Sequence, residues 1–409
     1  VKKKQVHYIA KLADMVRGQL TKIDRKKVVA LITMEIHSRD VEERMIKQGA
    51  SHPEDFLWLS QLRFYYNKDS GEEGFGEVGA RQTNTIQIFG YEYQGNNGRL
   101  VVTALTDRCI VTLTTALYLQ RGGSPLGPAG TGKTETVKDL GKNLAKYVVV
   151  FNCSDSMDYR SVGRMFSGLV QTGGWGCFDE FNRIQIEVLS VIGQQVMSIM
   201  MAIRARKTEF SFMGVMIACN WNCGIFITMN PGYAGRQELP ENLKALFRSC
   251  AMMVPDREII IRVLLCAVGY DEFVMLSRKF TILYALSEEQ LSKQRHYDFG
   301  LRNILSVLRT AGQTKRDNRD ASESKLLYQT LRDMNLSKMV AQDVPLFLSL
   351  LKDLFPKVPS PPVAVYKAVE DAIATCVDDG KLVQHKNWLK KVVQLYETTV
   401  VRHGIMVIG

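Results

Sequence analysis

Glycines closing on a lysine and a hydroxyl, Gly127-Pro128-Ala129-Gly130-Thr131-Gly132-Lys133-Thr134, are the first place where this chain could do chemistry. They fit G-x-x-x-x-G-K-[ST], the pattern of a loop that cradles phosphates. Glycines let successive backbone N–H groups turn toward a β-phosphate, and the following helix adds its positive N-terminal end. Lys133 is long enough to reach the β- and γ-phosphates, and the Thr134 hydroxyl can ligate Mg²⁺. The expected chemistry is binding of a nucleoside triphosphate. The alternative is a P-loop kept only as structure.

Two other apolar runs end in groups that would complete such a site. Trp175-Gly176-Cys177-Phe178 closes on Asp179 and Glu180. At a strand end beside a P-loop, Asp179 would hold Mg²⁺, and Glu180 would orient or deprotonate the attacking water. Taken alone, an Asp-Glu pair is usually solvated. Residues 224–230 read as a buried strand ending on Asn230, whose amide could hydrogen-bond the attacking water and the γ-phosphate. The alternative is a turn residue before Pro231. Arg248, at the end of an expected helix over 243–248, could serve a neighbouring site from the rim or be a surface residue.

These groups need elements to position them. Residues 135–147 have helical spacing through Val137, Leu140, Leu144 and Ala145. The strand before the loop, 123–126, is short and interrupted by Pro125. Residues 148–151 are a buried-type strand, followed by expected helices at 158–169 and 184–201 and hairpin strands at 210–213 and 215–218. Upstream, Thr106 or Asp107 is expected to cap a helix through Leu119. Residues 1–67 read as helical, with Val28, Leu31, Ile32 and Ile36 on one stripe and Ser38 or Asp40 as a cap. Residues 69–98 read as a hairpin-like connector with β-prone runs at 85–89 and 91–93. From Asp256 the pattern is helical, with Ile259, Val263, Leu264, Val274, Leu283 and Leu286 as core. Residues 315–320 read as a solvated connector, 326–354 as helix, and the prolines at 356–362 as a boundary.

A chain of 409 residues has room for two or three domains. Hydrophobic content of 46% and charged content of 23% match a soluble globular protein. The net charge of +11 suits an acidic partner or a solvated surface equally. Eight cysteines scattered among apolar neighbours read as reduced core residues of a cytosolic protein. Cys219 and Cys223 lack a second ligand pair, so zinc is not expected. No apolar run reads as transmembrane. Asp298-Phe299-Gly300 without a His-Arg-Asp loop excludes a kinase. The start without Met and the stop at Gly409 read as a fragment. Laying Gly409 on Gly127 puts 389–401 over 107–119 and 404–408 over 122–126, as if a second module of the same kind were beginning.

With these motifs in place, the chain resembles the first AAA+ module of a dynein heavy chain. Residues 127–136, 151–155, 177–184, 227–236, 239–244 and 251–256 carry the resemblance, which covers nearly the whole chain. It implies an α/β fold: a P-loop AAA+ module, with a parallel sheet flanked by helices and a helical lid, preceded by a helical linker segment. The implied domains are 1–94, linker end and connector; 95–255, large α/β ATPase subdomain; 256–355, small helical lid; and 356–409, start of a second AAA+ module, truncated at its P-loop. Gly127, Pro128, Ala129, Gly130, Thr131, Gly132, Lys133, Thr134 and Glu135 would bind the nucleotide. Thr134 and Asp179 would hold the metal, Glu180 would be the catalytic carboxylate, and Asn230 would be sensor I. Arg302, in Asp298-Phe299-Gly300-Leu301-Arg302, would reach the γ-phosphate as sensor II. Arg248 stands at the arginine-finger position, acting on a neighbouring module's site. Ala104, Gly193 and Ser249 depart from the family's usual Pro, Ala and Pro, with Gly193 costing its helix about 1 kcal/mol.

The cofactors implied are ATP and Mg²⁺. The activity implied is ATP hydrolysis driving minus-end-directed microtubule motility in the parent protein. The setting implied is cytoplasmic or cytoskeletal and, from residues 110–119 and 396–404, a ciliary or flagellar axoneme. Implied partners are adjacent AAA+ modules of the same chain, microtubules contacted beyond Gly409, and dynein intermediate and light chains, with no nucleic acid and no membrane. The alternative is an AAA+ regulatory or scaffold module that binds ATP without motor activity. The intact Asp179-Glu180 pair, Asn230 and Arg302 favour hydrolysis. Alone, the fragment is expected to be weakly active, because a neighbour must supply an arginine.

Overall fold

The computed structural model describes residues 2–69, 76–231, 238–359 and 367–401. The expected motif residues 232–236, most of the proline-rich break and residues 404–409 lie outside these. The chain divides into two compact units, residues 1–10 with 20–256 and residues 11–19 with 257–409.

The first unit opens with helices and then departs from the helical reading. Helix α1 spans Lys2–Arg17 across the division, and α2 spans Lys22–Lys47. Thr21 caps α2, its hydroxyl accepting from Asp24 N at 3.1 Å. Ser38 and Asp40 therefore sit inside one continuous helix and cap nothing. After the short α3 (Phe56–Leu59), the chain forms β1 (Arg63–Asn67), β2 (Glu77–Gln82) and β3 (Thr85–Ile88). They make an antiparallel sheet in that order. Residues 63–67 were expected to be helical; the β-prone Phe64, Tyr65 and Tyr66 prevail. Residues 91–93 form no strand.

The parallel α/β fold begins at α4 (Ala104–Tyr118). Its cap is Thr103, not Thr106 or Asp107. Thr103 Oγ1 accepts from Thr106 N at 3.4 Å, and Thr106 Oγ1 accepts from Thr103 N at 2.6 Å, closing a reciprocal capping box. There follow β4 (Gly122–Leu126), α5 (Lys133–Asn143), β5 (Val148–Asn152), α6 (Tyr159–Thr172), β6 (Trp175–Asp179) and α7 (Ile186–Arg204). The antiparallel hairpin β7 (Glu209–Phe212) and β8 (Val215–Ala218) leads to β9 (Gly224–Ile227), α8 (Glu241–Leu246) and β10 (Phe247–Ala251). The central sheet has the order β10-β4-β9-β6-β5 and is parallel throughout. Such a sheet is buried on both faces: Phe166, Phe178, Ile192 and Val196 fill one side, Leu113, Val137, Leu140 and Phe226 the other.

Helix α7 is long and apolar enough, by length and composition, to cross a membrane, a property the sequence reading missed. In the fold Leu189, Ile192, Val196 and Ile199 are wholly buried in the core, as for a central helix of a globular unit. Gly193 is better explained than as a penalty. A Cβ there would lie 3.1 Å from Asn242 Nδ2 and from Leu243 Cγ, so the small residue lets α8 approach α7.

The second unit holds α9 (Arg257–Ala267), α10 (Phe273–Gln290), α11 (Leu301–Asp317), α12 (Glu323–Leu336), α13 (Val344–Leu354), α14 (Lys367–Asp379) and α15 (Lys386–Val401). Phe280, Tyr284, Leu327 and Phe347 lie in its core. Inside runs a satisfied polar web. Asn303 Nδ2 donates to Tyr284 OH at 3.0 Å, and Lys338 Nζ donates to Asn303 Oδ1 at 2.7 Å. The supposed connector at 315–320 begins as the last turn of α11, where Lys315 pairs with Glu323 at 3.0 Å. The helical stretch expected over 326–354 comprises α12 and α13. With Gly409 laid on Gly127, Lys386, the first residue of α15, falls on Ala104, the first residue of α4.

Candidate active site

The C-terminal ends of β4, β9 and β6 lie side by side in the parallel sheet, the edge at which such sheets present their ligand-binding loops. β4 runs into the loop, β6 ends on Asp179, and β9 leads through Thr228 and Met229 to Asn230. The expected strand 224–230 is shorter than predicted, with an isolated parallel bridge between Leu126 and Met229 beyond its end.

The loop is tightly seated at its base and open at its tip. Pro128, Ala129 and Gly130 are exposed, whereas Gly127 and Thr131 are buried. Gly127 has φ +158, and a Cβ on it would meet Met252 O at 2.0 Å, so only glycine fits against the end of β10. Gly132 caps α5 at φ 83, placing the positive end of that helix at the loop. Lys133 is only 6% exposed. Its Nζ donates to Gly127 O at 2.8 Å and Pro128 O at 2.7 Å, so the ammonium lies across the loop.

One continuous chain of contacts joins the remaining residues. Thr134 Oγ1 donates to Asp179 Oδ1 at 2.8 Å. The Thr228 hydroxyl donates to the same Asp179 oxygen and accepts from Glu180 N at 3.2 Å. Glu180 Oε1 accepts from Asn230 Nδ2 at 3.2 Å, and Oε2 pairs with Arg183 at 3.1 Å. Glu180 itself has φ 53, the left-handed region that a non-glycine residue rarely adopts. Such strain persists where the surroundings enforce it, often at working sites. Asn230 is 5% exposed, and its carbonyl accepts from Asn182 Nδ2 at 3.2 Å. It is therefore built into the site.

Cys153 lies beside this cluster, its N–H donating to Asp179 O at 2.9 Å. Burial, with the charges of Asp179 and Glu180, pushes its thiol up to about 12, so it is no nucleophile. All eight cysteines are free thiols; Cys376 is exposed, unlike the core residues expected.

Lys133, Thr134, Asp179, Glu180 and Asn230 thus come together at one sheet edge. Glu135 is exposed on α5 and pairs with Lys138 at 2.8 Å. Arg248 stands not at a helix end but in β10, the outer strand, with its side chain exposed. The physical reason is Phe247, which leaves α8 in an extended conformation at φ −112 and starts the fifth strand. Arg302 belongs to the second unit, exposed in the first turn of α11. Sequence reasoning missed Thr228, Asn182 and Arg183. Thr228 left a signal: a single hydroxyl within the apolar run Ile225-Phe226-Ile227-Thr228-Met229.

Comparison with known proteins shows the family to which the chain belongs. The family described as "Hydrolytic ATP binding site of dynein motor region" matches residues 89–409. Mouse dynein axonemal heavy chain 2 is 54% identical over 405 residues, 99% of this chain and 9% of that protein. The Chlamydomonas reinhardtii dynein-1-beta heavy chain of the flagellar inner arm I1 complex is 49% identical over 410 residues, 100% of this chain and 9% of that protein. Human dynein axonemal heavy chain 8 is 52% identical over 399 residues, covering 97% and 9%. The chain spans about a tenth of the length of these relatives. With the matched region enclosing every residue of the cluster, the chain belongs to the dynein heavy chain family and carries its hydrolytic ATP-binding site.

Proposed function

We propose that this chain is the first AAA+ module of an axonemal dynein heavy chain, with the end of the linker before it and the start of a second module after it. The observation that carries the reading is the run of contacts from Thr134 through Asp179, Thr228 and Glu180 to Asn230. A binding-only site has no need of a strained glutamate held beside a buried asparagine.

The donor set fits Mg²⁺. Thr134 and Asp179 offer hard oxygens already 2.8 Å apart at the P-loop's end. They would hold the ion, which when bound would neutralise charge on the phosphates. The loop backbone and Lys133 bind the triphosphate of ATP. Glu180 Oε1 accepts a proton from, or orients, the attacking water, and Asn230 fixes that carboxylate and the water's direction. Lys133 meets the charge that develops on the γ-phosphate, and Arg302 is assigned the sensor II role on the resemblance alone. Arg248, exposed on the outer strand, serves a neighbouring module's site and not its own. Residues 1–94 are the linker end and connector, 95–255 the large subdomain, 256–355 the lid and 356–409 the start of the next module. The sequence register that sets the first residue of α15 on the first residue of α4 supports the last of these. In the parent chain, hydrolysis would drive movement along microtubules toward the minus end in a ciliary or flagellar axoneme, with intermediate and light chains as partners.

The test is turnover with and without a neighbour. Alone, the chain binds ATP·Mg²⁺ and turns it over slowly; adding the following module accelerates hydrolysis by about 10³-fold or more, the scale for an arginine supplied in trans. Brisk turnover by the isolated chain, unchanged by that module, would contradict this and favour a self-contained ATPase.

A further inference from the structure

Residues 90–100 run as a strap along the P-loop helix α5 and the corner after it. Gly90 N donates to Leu144 O at 2.8 Å and Glu92 N to Ala145 O at 2.9 Å. Gln94 Nε2 donates to Lys146 O at 3.0 Å, and Lys142 Nζ donates to Gly98 O at 3.1 Å. At the far end Arg99 grips Asp139 with both arms of its fork, Nε to Oδ1 at 3.0 Å and Nη2 to Oδ2 at 3.2 Å. Leu100 N adds a third bond to Asp139 Oδ1 at 3.1 Å, and Arg99 also donates to Asn143 Oδ1. The Asp139 side chain is 2% exposed and that of Arg99 16%.

The same strap touches α2. Asn96 Nδ2 donates to Ile23 O at 2.9 Å, and Arg99 Nη1 lies 3.4 Å from Met34 Sδ. Another charged link from α2 to the ATPase core is looser: His37 and Arg44 each stand 3.7 Å from Asp107. Arg99 therefore stands between two elements, one in contact with its sulfur-facing arm and one held by its bidentate fork.

We propose that Arg99 and Asp139 are the coupling pair that registers the strap, and through it α2, on the P-loop helix. They position the strap on α5; Lys133 and Thr134 keep their own contacts in the loop and at Asp179 without the pair. This rests on the proposed reading that the site hydrolyses ATP, that α2 belongs to the linker end and that the linker end moves with the ATPase cycle. Exposed stitches such as Lys142 to Gly98 slip at little cost. A buried fork-to-carboxylate pair fixes both distance and orientation, and losing either partner strands a buried charge. Asp139 lies six residues beyond Lys133, about 9 Å along one rigid helix. A pull on the strap is thus delivered to the residues that hold phosphate and metal.

The test uses the heavy chain that carries this segment, comparing wild type with Arg99→Lys, which keeps the charge and loses the fork, and Asp139→Asn. ATP turnover, ATP KM and microtubule gliding velocity are measured on each. The expected result is that distance moved per ATP falls about five-fold in Arg99→Lys, within the range for residues that carry coupling, while basal turnover and KM stay within about two-fold. If velocity and turnover stay unchanged, or fall in proportion, the pair is a structural clip and the proposal is overturned. Should Asp139→Asn fail to fold, Arg99→Lys alone decides. Glu180→Gln run in parallel separates the underlying reading: turnover that survives it removes the site, and the inference with it.

Discussion

The side-chain amide of Asn230 donates to Oε1 of Glu180 at 3.2 Å across a separation of 50 residues. The pairing of β6 with β9 makes this possible, since Trp175 through Phe178 match Gly224 through Ile227 in parallel register. Glu180 is thereby held at φ 53 just past the end of its strand. A left-handed L-residue costs about 1–2 kcal/mol. Glu180→Gly should therefore raise stability to chemical denaturation by about 1 kcal/mol while abolishing hydrolysis. A destabilised Glu180→Gly variant would mean that the side chain, and not the catalytic need for it, holds the turn.

The Thr134–Asp179 contact predicts a metal-dependent affinity. ATP should bind wild type more tightly with Mg²⁺ than with a chelator present. Thr134→Ala should shrink that difference by about ten-fold, equivalent to about 1.4 kcal/mol, and leave metal-free binding unchanged. Titration of a fluorescent ATP analogue under both conditions checks this. An unaltered Mg²⁺ effect would remove Thr134 from the metal's ligands.

Two loop glycines should differ in what they tolerate. Gly127→Ala drives a methyl against Met252 O, where a Cβ would sit 2.0 Å away, so β10 or the loop must move. Gly130, at φ +79, has nothing within 4 Å of an added Cβ, so only backbone strain opposes Gly130→Ala. The expected cost is about 1–2 kcal/mol at Gly130 and about 3 kcal/mol or more at Gly127, with loss of nucleotide binding only in the latter. Melting curves and ATP titrations on both variants check the order.

In the second unit, Asp343 accepts from Ser292 Oγ, from Tyr297 OH at 2.7 Å and from Ser292 N at 3.3 Å. The hydrogen bonds from Ser292 and Tyr297 hold its carboxyl below the ordinary range. A depressed carboxylate adds stability that is complete above the unfolded value near ~4 and is lost as pH falls through the folded value. Asp343→Asn should cost about 1–3 kcal/mol at neutral pH, and the two stability curves should converge as pH falls. Parallel curves down to pH 2 would contradict this.

Much of the site was legible because its residues are constrained by chemistry that leaves few substitutes. Lys133, Thr134, Asp179, Glu180 and Asn230 each close a loop or an apolar run. The contacts that fix them were not legible: Thr228 lies inside a strand-like run, and Arg183 becomes a partner of Glu180 only through the tight turn at Phe181–Arg183. The sheet was four-fifths readable as apolar runs. β10 escaped because Phe247-Arg248-Ser249-Cys250-Ala251 is an edge strand, exposed at three of its five positions and continuous with a helix-like run before it. β1 escaped for a related reason, its Phe64, Tyr65 and Tyr66 resembling the apolar stripe of the helices upstream.

In the proposed function, Glu180 performs hydrolysis at a loop that binds ATP without its help. The most direct test of this is the affinity for ATP and the single-turnover hydrolysis rate, measured on wild type and Glu180→Gln with the following module present. The expected result is an affinity unchanged within about three-fold and hydrolysis slowed by about 10²–10⁴-fold, the range for a lost general base. Hydrolysis that persists in Glu180→Gln, or loss of ATP binding with it, would contradict the account.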